Sequence, residues 1–311
     1  MFMDDALGAE VVAVEGLVKR YPHRVAVEGL RLTLRRGDVV ALVGGNGSGK
    51  TTTLRILAGI LSPDAGRGHV LGFDLVREAG EIRRLVGYMP QRLALYGRLS
   101  VFENLRFRAQ IYGLPRAAAA ADRAIEEFEL GGHRRIAAGK LSGGWARRLQ
   151  LAASLIHSPR LLLLDEPTAG LDVATRQDVW HRLGRKVAAG TTIAMSTHDL
   201  AEAERCPRAV LLSEGRVVAA GTPHELAQRA PAVAVLLSGV DVHRVSPTLD
   251  AVPGVIATHP EGSGLRVIAE APSEERLRAF AASAGMQVAR ISMQLSDAAL
   301  VLARESARAR Q

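Results

Sequence analysis

The sequence contains little cysteine and few aromatic residues, and it has no long apolar run. The single cysteine, Cys206, excludes an internal disulfide and a cysteine metal cluster, and it is interpreted as a packing residue in a reducing compartment. No apolar run approaches the roughly 18 residues needed to cross a bilayer. The acidic start at residues 1–5 does not have the pattern of a signal peptide, so the expected location is the cytoplasm.

The basic residues are almost all arginine. Lys and Arg together number 40 against 32 acidic residues, which gives a formal net charge of +8 at pH 7. The arginines form no dense basic block, and aromatic residues make up only 4% of the chain. Because nucleic-acid surfaces combine a basic patch with aromatic side chains that stack on bases, no nucleic-acid partner is expected. Most arginines are predicted to lie on solvated helix faces. The lysines are Lys19, Lys50, Lys140 and Lys186.

A glycine-rich stretch carries the strongest signal in the chain. It matches the phosphate-loop pattern G-x-x-x-x-G-K-[ST], and it lies between an apolar strand-like run at residues 39–43 and a helix predicted to begin near Thr51. Glycines let backbone N–H groups approach phosphate oxygens, and the helix N-terminus faces the same anion. Lys50 is placed to reach the β- and γ-phosphates, and the Thr51 hydroxyl to bind Mg²⁺. The predicted nucleotide-binding residues are Gly44, Gly45, Asn46, Gly47, Ser48, Gly49, Lys50, Thr51 and Thr52.

Three further features add groups that suit a nucleotide. Tyr21, ahead of the phosphate loop, is either a half-buried strand residue or a platform for adenine. Gln91 follows a strand-like run at residues 86–90. The segment Leu141-Ser142-Gly143-Gly144 precedes a helix predicted over residues 146–157, and it is either an anion-binding helix start or a simple cap. Residues 92–150 show helical periodicity, which predicts a helical insertion.

Two carboxylates follow a run of four leucines. The run at residues 161–164 predicts a buried strand that delivers Asp165 to a Mg²⁺-phosphate site, and Glu166, one residue later, fits a base that polarises water. Downstream, Asp172 precedes a helix predicted over residues 173–189, and His198 follows an apolar strand at residues 191–195. From the residues alone, His198 is interpreted as structural or catalytic. A hairpin is predicted at residues 209–219.

The order of these motifs resembles the nucleotide-binding subunit of an ABC transporter, over about residues 11–225. The resemblance implies an α/β P-loop NTPase cassette, with a RecA-like core sheet, an antiparallel β subdomain and a helical insertion at about residues 92–150. It also implies ATP hydrolysis with ATP and Mg²⁺. In this reading Tyr21 stacks on adenine, Asp165 holds Mg²⁺ through water, Gln91 senses Mg²⁺ and the attacking water, and Glu166 polarises that water.

The same resemblance implies a dimer. His198 is expected to contact the γ-phosphate and so to be catalytic rather than structural. Leu141, Ser142, Gly143 and Gly144 are expected to bind the γ-phosphate held by a second cassette, and Asp172 to couple the two sites. The partners implied are a second cassette, identical or different, and a membrane permease at the inner face of the plasma membrane.

The sequence departs from the family pattern at two places. Gly45 replaces the commoner proline, which is expected to be harmless because the ligand is bound by backbone there. The family usually continues Leu-Ser-Gly-Gly with Gln, a basic residue, Gln and Arg, whereas this chain has Trp145, Ala146, Arg147 and Arg148. The backbone N–H donors are kept, so binding across the dimer is expected to persist. Trp145 replaces the usual polar side chain, and a lower rate of hydrolysis is one expected consequence.

The remaining tail predicts a second, small α+β domain at residues 231–311, after a cassette at residues 1–230. Strands are expected at residues 233–237, 265–269 and 288–293, and helices at residues 273–284 and 297–308. The tail resembles the extension of the drug- and lipid-export branch, with Leu295-Ser296-Asp297 as its Leu-x-Asp element and Ala299 where Phe is usual. A partly disordered regulatory tail is the alternative.

The expected function is therefore an ATPase subunit that powers a separate permease, exporting drugs, lipids or polysaccharide-like compounds. One alternative is a cassette ATPase that acts on ribosomes or DNA, although the chain has neither a second cassette nor a long coiled-coil insertion. The other is a scaffold that binds nucleotide but is impaired in hydrolysis, which Trp145 suggests.

Overall fold

The computed structural model describes residues 10–239, 248–249 and 251–308. The chain divides into two compact units, Met1–Val217 and Val218–Gln311. The strands that begin in the first unit are β1 (Glu10–Tyr21), β2 (Arg24–Arg35), β3 (Val39–Val43), β4 (Ala65–Val70), β5 (Phe73–Asp74), β6 (Val86–Met89), β7 (Leu161–Asp165), β8 (Thr192–Thr197), β9 (Arg208–Ser213) and β10 (Arg216–Gly221). Its helices are α1 (Lys50–Leu57), α2 (Ala79–Leu85), α3 (Val101–Ile111), α4 (Ala117–Glu127), α5 (Gly143–Leu155), α6 (Val173–Ala188) and α7 (Leu200–Ala203).

The first unit contains an antiparallel sheet in the order β2-β1-β4-β5, which is the antiparallel β subdomain that the resemblance implies. Strand β4 was not predicted, because it contains Gly66 and Gly68, and glycines in such a cluster are typical of turns. Gly66 has a φ of 95°, and a Cβ there would lie 2.6 Å from the carbonyl oxygen of Gly16. Glycine in β4 therefore marks a close approach to β1 rather than a turn.

The second sheet has the order β10-β9-β3-β8-β7-β6, and strands β3, β6, β7, β8 and β9 run parallel. All five residues of β7 are buried, as expected for a strand covered on both faces. Parallel strands end at the same edge of a sheet. This topology therefore brings together the loop after β3, Asp165 at the end of β7 and the residues that follow β8.

Residues 92–150 fold mainly as the helices α3, α4 and α5, in agreement with their helical periodicity. Helix α3 begins with a capping box between Ser100 and Glu103. Helix α5 begins at Gly143, earlier than the predicted Ala146, with Ser142 at its N-cap position. The two glycines occupy the first turn, where the backbone N–H groups have no partner within the helix. No described helix is long and apolar enough to cross a membrane.

The second unit contains an antiparallel sheet in the order β12-β13-β11-β14, as the α+β prediction requires. Strand β12 was not predicted, because its sequence VIATHPE lacks an apolar alternation and its last three residues are exposed. The elements are α8 (Pro223–Arg229), β11 (Ala232–Ser238), β12 (Val255–Glu261), β13 (Gly264–Glu270), β14 (Gln287–Ile291) and the helices α9 (Glu274–Ser283) and α10 (Leu295–Arg308).

A buried ion pair joins β13 to the start of α10. Arg266 and Asp297 are each 2% exposed. Arg266 Nη2 donates to Asp297 Oδ2 at 2.5 Å and to the carbonyl oxygen of Ser292 at 2.7 Å. Asp297 also accepts from the backbone N–H of Gln294 at 2.8 Å. The Leu-x-Asp element noted in the sequence is therefore a structural contact within the second unit.

Asp297→Ala is expected to destabilise the second unit by about 3–5 kcal/mol, because it leaves a buried guanidinium without its main counterion. Urea unfolding followed by circular dichroism measures this change. Glu274→Gln, which breaks the ion pair with the exposed Arg278 (2.8 Å), is the control and is expected to change stability little. Equal effects of the two substitutions would contradict the structural role of Asp297.

Candidate functional site

The phosphate loop lies between β3 and α1, as the pattern predicts. Gly47 and Gly49 have φ angles of 80° and 100°, a left-handed conformation that favours glycine. Lys50 begins helix α1, and its ammonium group donates to the carbonyl oxygens of Gly44 at 2.6 Å and Gly45 at 2.9 Å. The loop therefore encloses the lysine ammonium and presents a helix N-terminus beside it.

Two buried polar groups in this loop favour an anionic ligand. Burial lowers the pKa of Lys50, and the nearby carboxylates of Glu166 and Asp165 act in the opposite direction. Ser48 is 5% exposed, and its hydroxyl has no hydrogen-bond partner among the residues that the structure describes. A buried hydroxyl without a partner costs free energy, and a phosphate oxygen bound in the loop would supply one.

Asp165 connects the ends of β7 and β8 to the first turn of helix α1. Its Oδ1 accepts a hydrogen bond from Thr51 Oγ1 at 2.9 Å and another from Ser196 Oγ at 2.6 Å. The Asp165 side chain is buried, with 1% of its surface exposed. A carboxylate and a hydroxyl side by side are ligands that suit Mg²⁺, which prefers oxygen atoms and keeps several waters. Sequence reasoning missed Ser196, although it lies two residues before the predicted His198.

Glu166 is held between the other two predicted catalytic residues. Its carboxylate accepts from Gln91 Nε2 at 2.9 Å and lies 3.1 Å from His198 Nδ1. The Glu166 backbone has a φ of 48°, and its N–H donates to Ser196 Oγ at 3.0 Å. The Glu166 side chain is 10% exposed and that of His198 is 59% exposed, so the carboxylate is sheltered while the imidazole faces solvent.

A pocket at this edge brings most of the predicted residues together. Residues 46–52, Gln91 and Glu166 line it, and so do Arg24 and Ala26, which sequence reasoning missed. The Arg24 guanidinium carbon lies 5.8 Å from the centre of the Tyr21 ring, which places the half-exposed tyrosine near the pocket mouth. A cation three residues after the proposed adenine platform was the available signal for Arg24.

The Leu-Ser-Gly-Gly segment and Asp172 do not line this pocket. Ser142 and Gly143 are exposed, and a Cβ at Gly143 would meet nothing within 4 Å. Asp172 caps helix α6 by accepting from the backbone N–H of Thr175 at 2.9 Å. The Trp145 ring packs against His133, with ring centres 4.1 Å apart, and against Arg148, whose guanidinium carbon lies 4.6 Å from the ring centre.

Residues 27–169 match the family described as ABC transporter. The probable multidrug ABC transporter ATP-binding protein YbhF of Escherichia coli (strain K12) is 39% identical over 221 residues, which are 70% of this chain and 38% of that protein. The chain therefore corresponds to well under half of YbhF. The daunorubicin resistance ATP-binding protein DrrA3 of Streptomyces coeruleorubidus is 43% identical over 218 residues, which are 69% of each chain. The Nod factor export ATP-binding protein I of Burkholderia lata is 38% identical over 265 residues, covering 84% of this chain and 86% of that protein.

Solved structures agree with these relatives. An ATP-binding subunit of an ABC transporter has a TM-score of 0.65 and 32% identity, and the match covers 70% of this chain and 92% of that chain. The dimeric post-hydrolysis state of the ATP-binding cassette MJ0796, bound to ADP and Pi, has a TM-score of 0.64 and 25% identity, and covers 68% of this chain and 98% of that chain. The phosphate loop, the buried Asp165 and the sequence identities above agree. The chain belongs to the family of ABC transporter ATP-binding proteins.

Proposed function

We propose that this chain binds and hydrolyses ATP as the subunit that powers a separate membrane permease of an exporter. The observation that carries the proposal is the sheltered Glu166 carboxylate, held between Gln91 and His198 beside the phosphate loop. Members of the family hydrolyse ATP to drive transport. A carboxylate at that position can accept a proton from water, which is the chemistry that hydrolysis requires.

The contacts described above support the proposed nucleotide-binding roles. Tyr21 stacks on adenine, and residues 44–52 surround the phosphates with backbone N–H groups, while Lys50 supplies the positive charge. Thr51 and, through water, Asp165 are the side chains that would hold Mg²⁺, and Gln91 would be a further ligand. The hydrogen bond from Thr51 to Asp165 supports this assignment because it places both oxygen groups at one point beside the loop. The ion neutralises charge on the β- and γ-phosphates when bound.

Three side chains that contact one another, Gln91, Glu166 and His198, take part in hydrolysis. Glu166 accepts the proton of the attacking water while the water oxygen bonds to the γ-phosphorus and the bond to the β-phosphate oxygen breaks, releasing ADP and phosphate. Gln91 orients the carboxylate and the water, since its amide donates to Glu166. His198 contacts the γ-phosphate, and its contact with Glu166 holds the imidazole at the site.

The site in one copy is completed by a second copy. The N–H groups at the start of α5, at Ser142, Gly143 and Gly144, bind the γ-phosphate held by the partner cassette, with Leu141 anchoring the segment. The exposure of Ser142 and Gly143 and the open space at Gly143 support this role. Asp172 couples the two sites across the interface. ATP then favours the closed dimer, and hydrolysis lets the dimer reopen.

The exported compound belongs to the drugs, lipids or polysaccharide-like compounds. The support is the similarity to YbhF, DrrA3 and the Nod factor export protein, whose names concern multidrug transport, daunorubicin resistance and Nod factor export. The chain works at the inner face of the plasma membrane, where the permease holds it. The permease, rather than this chain, contains the substrate pathway.

The glycines of the phosphate loop give a test of ATP binding, because they differ in the space around them. A Cβ at Gly49 would meet the carbonyl oxygen of Ala26, and φ there is 100°. A Cβ at Gly45 would meet nothing within 4 Å. Gly49→Ala is expected to weaken ATP binding roughly tenfold or more, because the added Cβ would strain the loop conformation by about 1–3 kcal/mol. Gly45→Ala is the control, with affinity kept, and titration calorimetry compares them. Equal affinities would contradict binding at this loop.

Glu166→Gln is expected to keep ATP binding and to lower the turnover number by about 10²–10⁴-fold, because the base that accepts the proton is lost. Size-exclusion chromatography with ATP is expected to show a persistent dimer. Lys50→Ala is the comparison, and it should lose ATP affinity instead. Unchanged turnover of the Glu166→Gln protein would refute the role of Glu166. A wild-type chain that binds ATP without hydrolysing it, even with its permease present, would favour the scaffold interpretation.

Purification of the tagged chain from native membranes is expected to recover a polytopic membrane protein that stimulates its ATPase activity. Mass spectrometry identifies the companion, and phosphate release measures the stimulation. The Lys50→Ala chain is the control for activity, since it should recover the same companion without stimulation. Recovery of ribosomes or DNA in place of a membrane protein would contradict the transporter assignment.

A further inference from the structure

Helix α5 carries a buried arginine that the proposed mechanism does not use. Arg147 is 5% exposed and lies in the second turn of the helix that begins with the Leu-Ser-Gly-Gly segment. The family pattern usually has Gln at this position. Burial lowers the pKa of Arg147, and the nearby carboxylates of Asp165 and Glu166 act in the opposite direction. The guanidinium remains charged at neutral pH, because arginine is not deprotonated in proteins.

The guanidinium binds backbone rather than side chains. Nη1 donates to the carbonyl oxygen of Gln91 at 2.5 Å, Nε donates to that of Pro167 at 3.0 Å, and Nη2 donates to that of Glu166. These carbonyl groups belong to two separate segments, the loop after β6 and the turn after β7. One planar side chain therefore fixes both segments to helix α5.

These contacts close a ring around the catalytic hydrogen bond. The side chains of Gln91 and Glu166 bind each other at 2.9 Å, and Arg147 holds the carbonyl groups of the same two residues. Gln150, one turn later on α5, donates to the carbonyl oxygens of Pro90 at 2.8 Å and Arg92 at 3.1 Å. Helix α5 thus binds three consecutive carbonyl groups around Gln91.

The backbone of Glu166 also needs support at this point. Its φ of 48° is a left-handed conformation that is uncommon for a residue other than glycine. Ser196 binds the Glu166 N–H at 3.0 Å, and Arg147 binds its carbonyl oxygen. The strained residue is therefore held on both sides, which is how such conformations persist at functional sites.

We propose that Arg147 is a positioning residue for ATP hydrolysis, which ties the helix that follows the Leu-Ser-Gly-Gly segment to Gln91 and Glu166 of the same chain. Movement of that segment when it binds the partner's nucleotide is then passed directly to the catalytic carboxylate. Lysine cannot replace it, because an ammonium group lacks the flat fork that reaches three carbonyl oxygens. The inference rests on the proposed function, since it concerns the same hydrolytic site.

The test compares Arg147→Ala and Arg147→Lys with wild type in the full-length chain, with its permease where the two copurify. The turnover number of Arg147→Ala is expected to fall by about 10- to 100-fold, because displacement of the catalytic groups by about 1 Å has an effect of that size. The KM and the calorimetric affinity for ATP are expected to stay within about twofold, since Arg147 does not line the pocket. Arg147→Lys is expected to recover little of the lost turnover.

Arg182→Gln is the matched control for the loss of a buried arginine. Arg182 is 3% exposed and binds Asp178 at 2.8 Å and the carbonyl oxygen of Glu127, away from the pocket. Its substitution is expected to lower the Tm and to keep the turnover number within about twofold. The Gln91→Ala, Arg147→Ala double variant is expected to lose less than the product of the single losses, because both substitutions disturb the position of the same residue, Glu166.

Several outcomes would overturn the inference. They are wild-type turnover in Arg147→Ala, an equal loss of turnover in Arg182→Gln, a parallel loss of ATP affinity, and full activity in Arg147→Lys. A wild-type chain without ATPase activity would instead contradict the proposed function itself, so the two failures are distinguishable.

Discussion

The site depends on one buried carboxylate oxygen. Asp165 Oδ1 accepts from Thr51 at 2.9 Å and from Ser196 at 2.6 Å, so the carboxyl ends of the neighbouring parallel strands β7 and β8 meet the first turn of helix α1 at this oxygen. A carboxylate that is 1% exposed is costly to bury unless it is hydrogen-bonded. The two hydroxyl donors meet that requirement and also fix the start of helix α1 relative to the strand that delivers Glu166.

Around this fixed point the remaining groups differ in how they are held. Glu166 is attached to the core through Ser196 and to helix α5 through Arg147, whereas His198 is largely exposed and meets the site through Glu166. Behind the histidine, the buried carboxylate of Glu202 accepts from Thr197 at 2.8 Å and also from Thr168, and burial raises its pKa. The strand ends are thus rigidly joined, while the segments that would meet a partner lie at the surface.

Sequence patterns predicted the parts of this arrangement whose physics is local. The apolar runs at residues 39–43 and 161–164 predicted buried strands, because a short strand covered on both faces is apolar at every position. Strand β4 was missed because its glycines resemble those of a turn. The reason for glycine is the close approach of β1, which leaves no room for a Cβ and cannot be seen in the sequence. Arg24 and Arg147 were missed for another reason, which is that an arginine's contacts depend on segments far away in sequence.

The buried arginines and the buried lysine of this chain have different kinds of partner. Most arginines were predicted to lie on solvated helix faces, but among the described residues Arg147, Arg182 and Arg266 are buried. Each of the three binds carbonyl or carboxylate groups of separate segments. The buried lysine in the described part of the chain is Lys50, inside the phosphate loop. A rigid five-donor fork suits permanent junctions, whereas a compact ammonium on a flexible stem can exchange carbonyl oxygens for the oxygens of an arriving anion. In a chain with four lysines, the buried one is therefore at the place where the ligand must come and go.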